Sequence, residues 1–216
     1  MNDLKYAKLG DYIAKNLANI EKNEKVLILG DTGSNENMMK SVMSSSIGLD
    51  ADTQMLIYQQ KNETNVDPSD VISEAMKNSD VIIDFSVKYF IHTKAYDNAR
   101  EGGTRALVTI PPGIEEYINE GVIGIDYKKM VKEGQKISKL FEESNKCRVE
   151  SSEGTEIEMK LGDRPIILRD GMVTEKGEID YFPGAQVSLA PIEDSMNGVI
   201  VANGTISPPV GKLEDK

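Results

Sequence analysis

Apolar residues recur every three or four positions through the first twenty residues, at Leu4, Ala7, Ile13, Ala14, Leu17 and Ile20, with charged residues between them. That spacing predicts an amphipathic helix. Lys25-Val26-Leu27-Ile28-Leu29 is then a continuous apolar run that breaks at Gly30, as a strand buried on both faces would be. The polar loop Asp31-Thr32-Gly33-Ser34-Asn35 follows, and a Met-rich helical stretch runs on to Ile47. The alternation repeats: Gln54 to Tyr58 as strand, Pro68 to Lys77 as helix, Val81-Ile82-Ile83-Asp84-Phe85 as strand. A further helix is expected from about His92 to Arg100, stopped at Gly102-Gly103, because glycine tolerates the left-handed conformation that ends helices. Arg105 to Ile110 reads as a fourth strand, closed by Pro111-Pro112-Gly113.

Four buried-type strands separated by helices require crossover connections, which are right-handed and lay helices on both faces of a parallel sheet. The expected fold class is therefore α/β, a layered domain with a parallel sheet, placed at residues 1–145. From Asp126 to Asn145 the positions Tyr127, Met130, Val131, Ile137, Leu140 and Phe141 form one face of a long helix. Beyond it, short strands alternate with turn residues such as Glu153-Gly154, Gly162-Asp163, Asp170-Gly171 and Lys176-Gly177, the pattern of antiparallel hairpins. Residues 146–216 are accordingly expected to form a smaller, incomplete β-rich domain.

Charge narrows the function. The 216 residues carry 36 acidic and 25 basic side chains, a formal net charge of −11, which repels phosphate backbones and anionic lipid surfaces. Neither nucleic acid nor a membrane is an expected partner. The single thiol, Cys147, cannot form a disulfide within the chain, and no window reaches the roughly 18 uninterrupted apolar residues of a membrane helix. A cytoplasmic location is the expectation.

Several residues could carry chemistry. The loop after the first strand sits where a phosphate could meet backbone N–H groups, but it has neither the dinucleotide glycine spacing nor a P-loop lysine, and Asp31 adds a negative charge there. A turn with a helix cap from Asp31, Thr32 or Ser34 is the preferred reading of this loop. His92, the only imidazole, follows a strand end on the ligand-binding side of an open sheet, yet it has no His or Cys companions for a zinc site. Among the many carboxylates, Glu193-Asp194 stands out, directly after Ala190-Pro191-Ile192 and close to a glycine.

The stretch from Phe182-Pro183-Gly184-Ala185-Gln186 through Pro191-Ile192-Glu193-Asp194-Ser195-Met196-Asn197-Gly198 resembles the aminopeptidase T family of metal-dependent exopeptidases. The family's relatives include the iron-dependent dioxygenases that open dihydroxypyridine rings. Asp31-Thr32-Gly33, Ile91-His92-Thr93-Lys94-Ala95 and Ala99-Arg100-Glu101-Gly102-Gly103 extend the likeness over most of the chain. The resemblance implies a divalent metal (zinc, cobalt, manganese or iron), with most ligands in a C-terminal portion beyond Lys216, so that this chain alone would not bind it. The metal-binding Glu implied for the central motif falls at Ala185 or Gln186, and neither carries a carboxylate. A Gln offers a carbonyl oxygen without charge.

The leading expectation is thus an aminopeptidase-like hydrolase of short peptides, inactive as it stands. Gln186, Glu193, Asp194 and His92 are the residues expected nearest to substrate or metal, and no residue is assigned as catalytic. Two alternatives are an iron-dependent ring-opening dioxygenase acting on a small aromatic substrate and a non-catalytic binding or assembly module. Strand edges left without partners make a homo-oligomer the expected state.

Overall fold

The computed structural model describes residues 4–109, 126–184, 186–203, 205–206 and 211–212. Its elements in chain order are α1 (Leu4–Tyr12), a π-helical turn (Ile13–Leu17), β1 (Lys25–Asp31), α2 (Glu36–Gly48), β2 (Asp52–Tyr58), α3 (Asp70–Lys77), β3 (Val81–Asp84), α4 (Lys94–Glu101) and β4 (Arg105–Thr109). They continue with α5 (Tyr127–Glu142), β5 (Lys146–Glu150), β6 (Glu156–Lys160), β7 (Ile167–Arg169), β8 (Ile179–Phe182), β9 (Gln186–Ser188), β10 (Asn197–Val199), β11 (Thr205–Ile206) and β12 (Gly211–Lys212). The chain divides into two compact units, Met1–Val131 with Arg169–Ala185, and Lys132–Leu168 with Gln186–Lys216.

The first unit is the expected α/β layer. Its sheet runs β2-β1-β3-β4-β8, every neighbouring pair parallel. Side chains alternate across it, as the two-residue period of a strand dictates. Val26, Ile28, Val81, Ile83 and Leu107 face one core with Leu9, Ile13, Leu17, Met38 and Val42 from α1, the π turn and α2. Leu27, Leu29, Ile82, Ala106 and Val108 face the other, against Ile72 and Met76 of α3 and Tyr96 and Ala99 of α4. Helices on both faces explain why the middles of β1, β3 and β4 (Val26–Leu29, Val81–Ile83 and Ala106–Val108) are apolar on both sides.

Local chemistry sets the boundaries. Asn35 caps α2, its side-chain oxygen accepting from the N–H groups of Asn37 (3.1 Å) and Met38 (3.2 Å), so the cap lies one residue past the three candidates Asp31, Thr32 and Ser34. α4 stops as expected, with Gly102 at its end and Gly103 at φ +91°. At the amino end the buried stripe is Tyr6, Leu9, Ile13 and Leu17, while Ala7 is exposed. Gly10 lets α1 cross α2 closely, since a Cβ there would lie 2.6 Å from the Ser41 carbonyl carbon. The closing turn Pro111-Pro112-Gly113 lies outside the described residues.

The fifth strand departs from the hairpin pattern. β8 lies parallel beside β4, pairing Ala106 with Ile179 and Thr109 with Phe182, and its alternate residues Asp180 and Phe182 are buried. A chain segment some seventy residues downstream thus completes the first sheet. In the second unit β5 and β6 form an antiparallel hairpin with β10 on its far side, and β11 pairs antiparallel with β12. No helix among the described residues is long and apolar enough to cross a membrane.

Candidate functional site

The order β2-β1-β3 makes the sheet reverse direction at β1, because the chain moves one way to β2 and the other way to β3, β4 and β8. Open α/β sheets place ligands outside the carboxyl ends of the strands at such a switch point. Asp31 ends β1 and Asp84 ends β3, and both are buried, at 1% and 0% exposure.

Each carboxylate is filled by donors. Asp31 Oδ1 accepts from the Gly33 N–H (2.9 Å) and Oδ2 from the Lys88 N–H (2.9 Å), which ties the loop after β1 to the loop after β3. The Ser34 hydroxyl adds a second tie by donating to the Phe85 carbonyl at 2.9 Å. Asp84 Oδ1 accepts from the Ser86 N–H (2.8 Å) and the Ser86 hydroxyl (2.5 Å), and Oδ2 from the Tyr96 hydroxyl (2.5 Å). The Tyr58 hydroxyl, at the end of β2, donates to Ser86 Oγ at 2.9 Å. A continuous hydrogen-bonded chain therefore runs Tyr58, Ser86, Asp84, Tyr96 across three elements.

Burial is the largest influence on the protons of this chain. It pushes the Asp84 carboxyl above the ordinary carboxylate range; the donors Ser86 and Tyr96 oppose the rise and the nearby Asp31 charge adds to it. Burial, then the Asp84 charge, raises the Tyr96 phenol well above its usual value, and burial raises that of Tyr58. The network can store a proton and fix the two loops.

None of these four residues was singled out by the sequence, although one signal existed: Asp84 interrupts an otherwise apolar buried strand. Of the residues that were, His92 lies between β3 and α4 with an exposed side chain, and its backbone N–H donates to Asn65 Oδ1 at 3.2 Å. Gln186, Glu193 and Asp194 belong to the second unit and are exposed. Gln186 opens β9; Ala185 lies outside the described residues. Glu193 forms an ion pair with Arg164, whose hydrogen bond holds its carboxyl below the usual range, and Asp194 occupies a turn at φ +61°. No hydrogen bond links Gln186 to Glu193 or Asp194 among the described residues.

Among the described residues no three His, Cys, Asp or Glu side chains converge as metal ligands. A facial iron site needs two imidazoles and a carboxylate, and the chain has one His. The described residues do not fit a bound metal.

The comparisons with known proteins bear on the class. The family model for 2,5-dihydroxypyridine 5,6-dioxygenase, NicX, matches residues 13–211. The chain belongs to this dioxygenase family. A curated 2,5-dihydroxypyridine 5,6-dioxygenase of Pseudomonas putida KT2440 is 24% identical over 127 residues, covering 59% of this chain and 34% of the relative. The solved structure of the 2,5-dihydroxypyridine dioxygenase from the same organism shares the fold, with a TM-score of 0.75 at 18% identity, covering 92% of this chain and 59% of that one. The chain thus spans about a third of the curated relative in the matched region and three fifths of the solved structure.

These matches overturn the leading expectation. An aminopeptidase, metallopeptidase or hydrolase assignment has no support in them, whereas the dioxygenase branch of the resemblance is the one matched. The peptide substrate falls with the hydrolase, and neither the fold nor the relatives support a homo-oligomer. A divalent metal remains consistent with the family.

Proposed function

We propose that this chain acts in the oxygen-dependent opening of a small hydroxylated aromatic ring, a hydroxylated pyridine or a close analogue. The observation that carries the reading is the family match along residues 13–211, which spans both compact units. The α/β unit then serves as a rigid scaffold whose switch-point loops are locked by Asp31 and Asp84. Such chemistry calls for ferrous iron to bring oxygen and ring together. The described residues of this chain would contribute ring binding and positioning.

An oxygen electrode tests the reading directly. With 2,5-dihydroxypyridine and added ferrous iron, oxygen uptake matched mole for mole by loss of the ring absorbance is expected. Silence with every hydroxylated pyridine, with the fold intact by circular dichroism, would overturn it. A second reading is a non-catalytic module that binds the ring. It expects ring binding without uptake, and the same experiment separates the two.

A further inference from the structure

In the second unit the sheet order β10-β6-β5 leaves β5 at an edge among the described residues. The Ser151 N–H donates to the Thr155 carbonyl and the Leu161 N–H to the Asn145 carbonyl, both at 3.0 Å, which fixes the hydrogen-bonding phase of the β5–β6 hairpin. By the alternation of an antiparallel ladder, Cys147 and Val149 turn their backbone groups towards β6, while Lys146, Arg148 and Glu150 turn theirs to the open edge. Side chains follow the same period. Lys146, Arg148 and Glu150 share one face and are exposed; Cys147 and Val149 share the other, opposite Met159 and Ile157 of β6.

The charged face is mismatched at both ends of the hairpin. Lys146 lies opposite Lys160 and Glu150 opposite Glu156, and like charges directly opposite are destabilising. Arg148 relieves the acidic end by pairing with both Glu150 and Glu156. Lys146 has no such relief, since no carboxylate among the described residues pairs with it. Edge strands are commonly blunted by charge, but charge alone needs no particular order. Here the order is symmetric: turned end for end about Arg148, the strand sets Lys146 against Glu150 and Cys147 against Val149.

We propose that β5 pairs edge to edge with β5 of a second copy of this chain, antiparallel about a two-fold axis at Arg148, so that two hairpins join into one continuous sheet. Lys146 then faces Glu150 of the partner subunit, and Cys147 faces Val149 of the partner subunit. The outward N–H and C=O groups of Lys146, Arg148 and Glu150 find partners across the edge. Moving the axis to Cys147 would set Lys146 against a like-charged Arg148, and moving it to Val149 would set Lys146 against Ser152 in the turn. The two arginines on the axis are each already paired with Glu150 and Glu156 of their own chain. The fold class and the matched relatives give no support for self-association; the charge order of this one edge does. A five-residue edge is a small interface and a net charge of −11 opposes association, so the dimer is weak and reversible.

Sedimentation equilibrium of the full chain, from the micromolar range to about 1 mM, covers the scale of such weak complexes. A concentration-dependent monomer–dimer equilibrium is expected. Lys146→Glu removes the like-charge pair with Lys160 and creates one with Glu150 of the partner subunit, so it is expected to weaken the dimer at least tenfold while the monomer's thermal midpoint does not fall. Adding Glu150→Lys to it restores the match at the edge, and the double variant is expected to associate about as tightly as the wild type. Val149→Cys tests the register. Oxidised with glutathione disulfide, it is expected to join Cys147 to position 149 of the partner subunit, because facing residues that exchange no hydrogen bonds have Cα atoms about 4.5 Å apart, within disulfide reach. A monomer at every concentration, a dimer that Lys146→Glu leaves unchanged or that the double variant fails to restore, or a crosslink between the two copies of position 149 would each overturn the proposal.

Discussion

The Tyr96 hydroxyl donates to Asp84 Oδ2 across 2.5 Å, and this contact fastens α4 to the end of β3 inside the core, where both residues have 0% exposure. Tyr96→Phe keeps the ring packing against Phe90 but leaves a buried carboxyl oxygen without its donor. A loss of about 1–3 kcal/mol is expected from urea unfolding. An unchanged midpoint would mean that the bond contributes nothing net.

Asp84 also makes stability depend on pH. Its folded-state value lies above the ordinary 3.8, chiefly through burial, so the native chain holds a proton that the unfolded chain releases. The resulting stabilisation is complete below the unfolded value and is lost as the pH rises through the folded-state value. Asp84→Asn removes this titration. Its stability relative to wild type is therefore expected to improve steadily as the pH rises above 3.8, measured by urea midpoints, and a gap that stays constant with pH would refute the assignment.

Arg105 and Glu24 act in the opposite sense. The Arg105 guanidinium, 8% exposed, bonds both Glu24 oxygens at 2.7 Å and the carbonyls of Ala18 and Asn19 at 3.1 Å. Burial pushes the Glu24 carboxyl up, but the Arg105 hydrogen bond, the Glu21 N–H and the Arg105 charge together hold it below 4.5. That contribution is present above 4.5 and fades as the pH falls through the lowered value. Arg105→Met leaves the Glu24 carboxylate with the Glu21 N–H alone and the Ala18 and Asn19 carbonyls without this donor, and is expected to cost about 3–5 kcal/mol, with a weaker acid dependence than the wild type.

In the second unit, Gly198 of β10 sits at φ +132°, and a Cβ there would meet the Glu156 carbonyl oxygen of β6 at 2.1 Å. Gly198→Ala is expected to destabilise by more than about 1 kcal/mol, because both the conformation and the close strand approach exclude a side chain. Hydrogen exchange at Ile157 reads the effect locally. Unchanged protection there would show that β10 does not hold β6.

The candidate site was partly legible. The switch-point loops stood out because a strand followed by Asp31-Thr32-Gly33-Ser34 is a local signal, and His92 stood out as the single imidazole. Tyr58, Ser86 and Tyr96 did not, because they lie 28, 2 and 12 residues from their hydrogen-bond partners and carry no common spacing. Arg164 and Glu193, 29 residues apart, meet only through the turns of the second unit. Glu193 was singled out by its neighbours in the chain, and its partner could not be.

The sequence by itself determined the α/β class, because continuous apolar runs at Val26–Leu29, Val81–Ile83 and Ala106–Val108 are stable only in strands covered on both faces, and helical periods lie between them. It also determined the helix stop at Gly102-Gly103, a matter of backbone conformation alone. Only the tertiary structure decided that Ile179–Phe182 completes the first sheet, since a parallel partner is chosen by which edge remains open after the crossovers. It likewise decided that Asp31 reaches the loop after β3, at the Lys88 N–H, and that Asp84 meets Ser86 and Tyr96. Local pattern reports how a segment is buried, whereas strand order and side-chain meeting points are set by contacts between residues far apart in the chain.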